Sequence, residues 1–179
     1  HAMESERIAC GSAHADNVAP CLMGGFVLVR EYHPLDLIKI PVAQELFCTL
    51  VHPHLELKTE DSRRVLKPTL PLKDAITQSG NIAGLMLGLM LPDFNLIGRS
   101  LKYVIAEPLR SVFIPGFDTL RSKVIEGGAL GFGISGSGPT VFAISLSNEI
   151  ALRVGQTIKK QFANYKLESD VFVSKINME

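Results

Sequence analysis

The chain has 179 residues, 46% of them apolar and 20% charged, and its 18 Lys plus Arg balance 18 Asp plus Glu to a net charge of zero. That composition describes one ordinary globular domain, able to bury about two-thirds of its unfolded surface, without the basic excess of a nucleic-acid binder. A mean hydropathy of +0.23 argues against disorder, and the longest apolar stretch, Ile82 to Leu91, is about half of what a bilayer requires.

His1-Ala2-Met3 reads as an expression scar, and Gly11 to His14 as turn-rich material with no secretory leader ahead of it. Phe26 to Tyr32 reads as a strand ended by His33-Pro34; a second short strand is expected at Leu37 to Ile40, and a third at Glu45 to Val51, broken by His52-Pro53. A short helix is expected from Thr59, as N-cap, to Lys67-Pro68. Leu72 to Leu91 reads as a longer helix whose Gly84 and Gly88 lie on one face and admit a close neighbour. Pro92-Asp93 opens another helix, through Ile105 to Glu107-Pro108, and Pro115 to Asp118 starts one closed by Gly127-Gly128. Ala129 to Ser135 and Thr140 to Ser145 read as strands joined by a turn at Gly136 to Pro139. Asn148 to Tyr165 is a helix with Ile150, Val154, Ile158 and Phe162 four apart, and Asp170 to Ile176 a closing strand. The order is βαββαβ with helices inserted after the first strand, an α+β ferredoxin-like sandwich. The strands around residues 25–40 belong to a preceding unit.

Three Cys (Cys10, Cys21 and Cys48), with no CxxC or Cys/His spacing, argue against a disulfide framework or structural zinc and fit a reducing cytoplasm. The segment Gly133-Ile134-Ser135-Gly136-Ser137-Gly138-Pro139-Thr140 reads either as a plain hairpin turn or as an anion nest of main-chain N–H groups with added hydroxyls. It lacks the Gly-Lys-Ser/Thr ending of a P-loop, and a strand rather than a helix follows it. His14 and Asp16 lack further ligands at metal-binding spacing, so Asp16 and Asn17 read first as turn and capping residues. Arg63 and Arg110 are guanidinium forks suited to carboxylate or phosphate; nothing in the periodicity brings them together, and surface placement is the alternative. No hydrolase motif is present.

Gly11-Ser12-Ala13-His14-Ala15-Asp16-Asn17-Val18-Ala19-Pro20, with Gly24-Gly25, resembles the central segment of homoserine kinases. Ile105-Ala106-Glu107-Pro108-Leu109-Arg110 and Ile114-Pro115-Gly116-Phe117 resemble their later substrate-site segment. The glycine turn resembles the third motif of the wider superfamily of galactokinase, homoserine, mevalonate and phosphomevalonate kinases. The resemblance implies phosphorylation of L-homoserine by ATP, with Mg²⁺, to O-phospho-L-homoserine in threonine biosynthesis. It further implies that Arg63 and Arg110 hold the substrate carboxylate, that Thr59 supplies a nearby hydroxyl, and that His14 and Asn17 line the pocket. Gly136, Ser137 and Gly138 would close against phosphate and substrate. No protein base and no metal ligand is identified in the chain. The family's N-terminal half, with its own glycine-serine phosphate loop, Mg²⁺ ligand and acid for the amino group, has no counterpart here. The chain is therefore expected to be a C-terminal portion, inactive alone: scar at 1–3, the end of the N-terminal kinase domain at 4–41, and the ferredoxin-like domain at 42–179. A cytoplasmic enzyme with no nucleic-acid or membrane partner is expected, with a homodimer possible. The alternatives are a sister kinase acting on mevalonate or a sugar, and a non-catalytic module that binds an amino acid. Any version of the site requires the separated guanidinium groups and the glycine bend to meet in one cavity.

Overall fold

The computed structural model describes residues 15–57 and 64–177. The order is α1 (Ala15–Met23), β1 (Phe26–Tyr32), β2 (Leu35–Ile40), β3 (Phe47–Pro53), α2 (Leu72–Met90), α3 (Phe94–Ser100), α4 (Glu107–Arg110), a 3₁₀ turn (Ser111–Phe113), α5 (Phe117–Glu126), β4 (Gly131–Ile134), β5 (Val141–Ser145), α6 (Asn148–Asn164) and β6 (Ser169–Lys175).

β3 to β6 form one antiparallel sheet in the order β4-β5-β3-β6, the strand order of a ferredoxin-like βαββαβ unit. β1 and β2 form a separate two-stranded sheet, with α1 packed on β1. The period-2 alternation of the strands separates two cores. Val51, Val141, Ala143 and Phe132 meet Leu120, Val124, Val154, Ile158 and Phe162 of α5 and α6. Ile144, with Cys48 and Phe142 beside it, meets Leu89 and Ile97 of α2 and α3 and Ile40 of β2.

α6 forms where its pattern predicts: Ser147 accepts the Ile150 N–H as N-cap, and Ala151, Val154, Gly155, Ile158 and Phe162 make one buried stripe. The lack of a side chain at Gly155 lets the helix lie against β6, since a Cβ there would stand 2.7 Å from Val171 Cγ1. Thr49, fully buried on β3, donates its hydroxyl to the Ala151 carbonyl at 2.9 Å. Thr49→Val keeps the shape and removes that bond, and should lower unfolding free energy by about 1 kcal/mol in a urea titration; an unchanged midpoint would show the bond contributes nothing.

α2 and α3 pack through the two glycines on the face anticipated for a neighbour. A Cβ at Gly84 would lie 2.5 Å from Ser100 Oγ, and one at Gly88 2.8 Å from Ile97 Cγ1. Asp93 caps α3 by accepting the Leu96 N–H.

Four expectations are corrected. α3 ends at Ser100 instead of continuing to Ile105, because Leu101 turns aside onto β4, where it occupies the space a Gly131 side chain would need. The following segment is held to α2 by Asn81 Nδ2 donating to the Lys102 carbonyl and by the Val104 N–H donating to Gln78 Oε1. Glu107-Pro108 begins a helix rather than ending one: a proline in the first turn gives up an N–H that has no helical partner there anyway. Asp16 and Asn17, read as turn and capping residues, lie in the first turn of a helix over residues 15–23 that is not expected from the sequence, with Pro20 inside it; the turn read at Gly11 to His14 lies outside the described residues. Pro53 is the last paired residue of β3, opposite Ser169, rather than a break before the strand's end. The short helix expected between Thr59 and Lys67 lies largely outside the described residues.

Candidate functional site

β4 carries the chain into the glycine turn. The Ser135 N–H donates to the Thr140 carbonyl at 2.8 Å and the Gly138 N–H to the Ser135 carbonyl at 3.0 Å, which closes the bend on itself. Gly136 has φ +59° and Gly138 φ +83°, conformations that disfavour any side chain with a Cβ. The far stem is braced by a hydrogen bond between His52 Nδ1 and Thr140 Oγ1 at 2.9 Å.

Arg110, the last residue of α4, reaches across to this bend: its Nη1 donates to the Gly136 carbonyl at 3.1 Å. Both line a cleft of about 160 Å³. Its floor is Gly133 and Phe142 of the sheet, its far wall Gln78, Asn81, Ile82 and Leu85 of α2, and its near wall Lys102, Tyr103 and Glu107. Gly133 is closely walled: a Cβ there would lie 3.0 Å from Phe142 Cε1 and 3.3 Å from Glu107 Oε2, so both neighbours would have to give.

Glu107 is 8% exposed. It forms an ion pair with Arg121 of α5, whose guanidinium lies 5.0 Å from the centre of the Phe117 ring. Neither residue enters the reading of the sequence as chemistry. The Ala-Glu-Pro-Leu-Arg segment marks Glu107 there only as part of a motif, and Arg121 lies in a different helix, so their spacing in the chain gives no sign of the pairing.

Of the anticipated site residues, Arg110, Gly136, Ser137 and Gly138 stand together at the mouth of this cleft or in its bend. Asn17 lies on the exposed side of α1 and is not among the residues lining the cleft. His14, Thr59 and Arg63 lie outside the described residues; of the two arginines, Arg110 faces the bend.

Other reactive groups stand apart. Burial pushes the Cys48 thiol up to about 11, which keeps it protonated and unreactive at neutral pH. The hydrogen bond from His54, at 2.9 Å, holds the exposed Asp170 carboxyl below its ordinary value, at the opposite end of β6 from the second core. Among the described residues no three His, Cys, Asp or Glu gather in a group able to hold a metal ion, and no helix is long and apolar enough to cross a membrane.

The family model described as the C-terminal region of GHMP kinases matches residues 75–164. A curated protein of Chlorobium phaeobacteroides named homoserine kinase is 54% identical over 180 aligned positions, covering 99% of this chain and 56% of its own length. The crystal structure of homoserine kinase from Cytophaga hutchinsonii superposes with a TM-score of 0.94 at 53% identity, over 99% of this chain and 56% of that one. The chain thus spans little more than half the length of the relatives it matches. Mevalonate kinase from L. major, 14% identical with a TM-score of 0.61 over 80% of this chain, shares the fold.

Proposed function

The chain belongs to the GHMP kinases, and on that premise we propose that it forms the C-terminal portion of a cytoplasmic enzyme that phosphorylates L-homoserine with ATP, giving ADP and O-phospho-L-homoserine in threonine biosynthesis. The observation that carries the reading is the contact between Arg110 and the glycine bend: a planar cation suited to a carboxylate stands 3.1 Å from the main chain of a loop with two left-handed glycines. Phosphoryl transfer depends mainly on positioning and on neutralising charge. A fixed guanidinium holding the amino acid beside a turn whose N–H groups meet phosphate supplies both. His14, Thr59 and Arg63 complete the pocket in this reading, with Asn17 joining it from beyond the cleft that Arg110 lines, and Gly136, Ser137 and Gly138 closing over it.

Mg²⁺ would neutralise the nucleotide's phosphates. The described residues do not offer it a ligand set, and its ligands, with the main nucleotide site, belong to the other half of the catalytic unit. The test is a coupled ADP-release assay with ATP and L-homoserine. It is run on the 179-residue chain and on the same chain extended to the length of its relatives. Turnover is expected only for the extended protein. Turnover of mevalonate or a sugar in place of homoserine would overturn the substrate, and robust turnover by the 179 residues would overturn the division of labour.

A further inference from the structure

We propose that Glu107 is the positioning residue for Arg110, holding the short helix between them at a fixed angle through its ion pair with Arg121. The proposal rests on the reading that Arg110 receives the substrate carboxylate.

α4 has four residues, too few to be stable as a helix by itself. Its last residue carries the guanidinium that faces the cleft, so something outside the helix must fix its first. Glu107 is that first residue, and its side chain is only 10% exposed, a burial carboxylates reach almost exclusively when paired. The partner, Arg121, is on α5, and it is immobilised in turn. Its guanidinium lies over Phe117, and Phe117, 4% exposed, packs on Phe132 of β4 with ring centres 5.2 Å apart. The other Glu107 oxygen is pressed toward Gly133 on the same strand, three residues before the carbonyl that Arg110 grips. The carboxylate therefore ties the root of α4 to α5 on one side and to the strand that floors the cleft on the other, and Arg110 closes the circuit at the tip.

Arg121 itself lines a different groove, with Arg99, Ile125 and Gly131, and does not line the cleft that Arg110 lines. A change at Arg121 touches no cleft residue except through Glu107, or more remotely through Phe117 and Phe132, which makes it a cleaner probe than Glu107.

The experiment uses the enzyme at the full length of its relatives, with Glu107→Gln, Arg121→Gln, the double variant and Arg121→Lys. Each Gln variant is expected to raise the homoserine KM about tenfold while the ATP KM stays within about twofold. The double variant should be no worse than the weaker single, because both changes cut one path. Arg121→Lys should recover part of the loss. Thermal midpoints are read alongside. A purely structural ion pair would lower the midpoint and leave the KM of the folded enzyme alone. A folded Arg121→Gln enzyme with an unchanged homoserine KM, or one in which both KM values rise together, overturns the proposal. If the wild-type enzyme fails to phosphorylate homoserine, the functional reading falls separately. The proposal is then decided by a crystal structure of Arg121→Gln, where an undisturbed contact between Arg110 and Gly136 defeats it and a displaced one supports it.

Discussion

Arg110→Ala should raise the KM for homoserine by at least about 30-fold, the equivalent of about 2 kcal/mol and the lower end of what truncating one partner of a buried charged contact costs. The ATP KM should hardly move. The asymmetry follows from placement. Arg110 is half-buried at the end of α4, and water can replace its bond to the exposed Gly136 carbonyl at little cost. What water cannot replace is a planar fork preset for a carboxylate. Arg110→Lys should therefore recover only part of the loss, since a point charge on a flexible stem does not offer two parallel donors. A substrate-side control sharpens the test: homoserine amide, which lacks the carboxylate, should be handled equally poorly by wild type and variant. If Arg110→Ala leaves the homoserine KM unchanged, or weakens the amide as much as the acid, the guanidinium does not hold the carboxylate.

Periodicity carried the sheet and its long helices. The alternation in Val141 to Ser145, the four-residue spacing in α6 and the paired glycines of α2 are local signals, and each produced the element its spacing implies. The errors cluster where tertiary contacts overrule local propensity. Leu101 leaves its helix to fill the space above Gly131, and α1 runs through Pro20 against β1; no local rule predicts either. The site divides the same way. The glycine bend announces itself in sequence, because only glycine adopts φ near +60° to +80° freely. That Arg110 faces it, from 26 positions earlier in the chain, depends on how α4 is seated. α4 in turn is seated by Glu107 and Arg121, whose pairing leaves no periodic trace. The family motif pointed to Arg110 and passed over the carboxylate three residues before it, although that carboxylate is the more deeply buried of the two.

Gly138→Val should lower the rate of phosphoryl transfer on the order of 100-fold, the scale expected when reacting groups are displaced by about 1 Å. The cause is the backbone before it is the side chain. Gly138 sits at φ +83°, a region that a β-branched residue occupies only under strain of about 1–3 kcal/mol. The space around it is tight but not closed: a Cβ would lie 3.3 Å from Ile134 Cγ2 and 3.7 Å from Ile114 Cδ1 and Leu57 Cδ2, leaving no obvious place for two further methyl groups. Relieving both problems requires giving up the bond from the Gly138 N–H to the Ser135 carbonyl, which would open the bend. Gly136→Ala provides the contrast. Its φ of +59° is also left-handed, but a Cβ there meets nothing within 4 Å, so the bend keeps its shape and the rate should fall far less. Measured at saturating ATP and homoserine, with thermal midpoints showing both proteins folded, a large loss confined to Gly138→Val locates the phosphate at the bend. Unchanged ATP kinetics in the folded Gly138→Val enzyme would mean that the turn never touches the nucleotide.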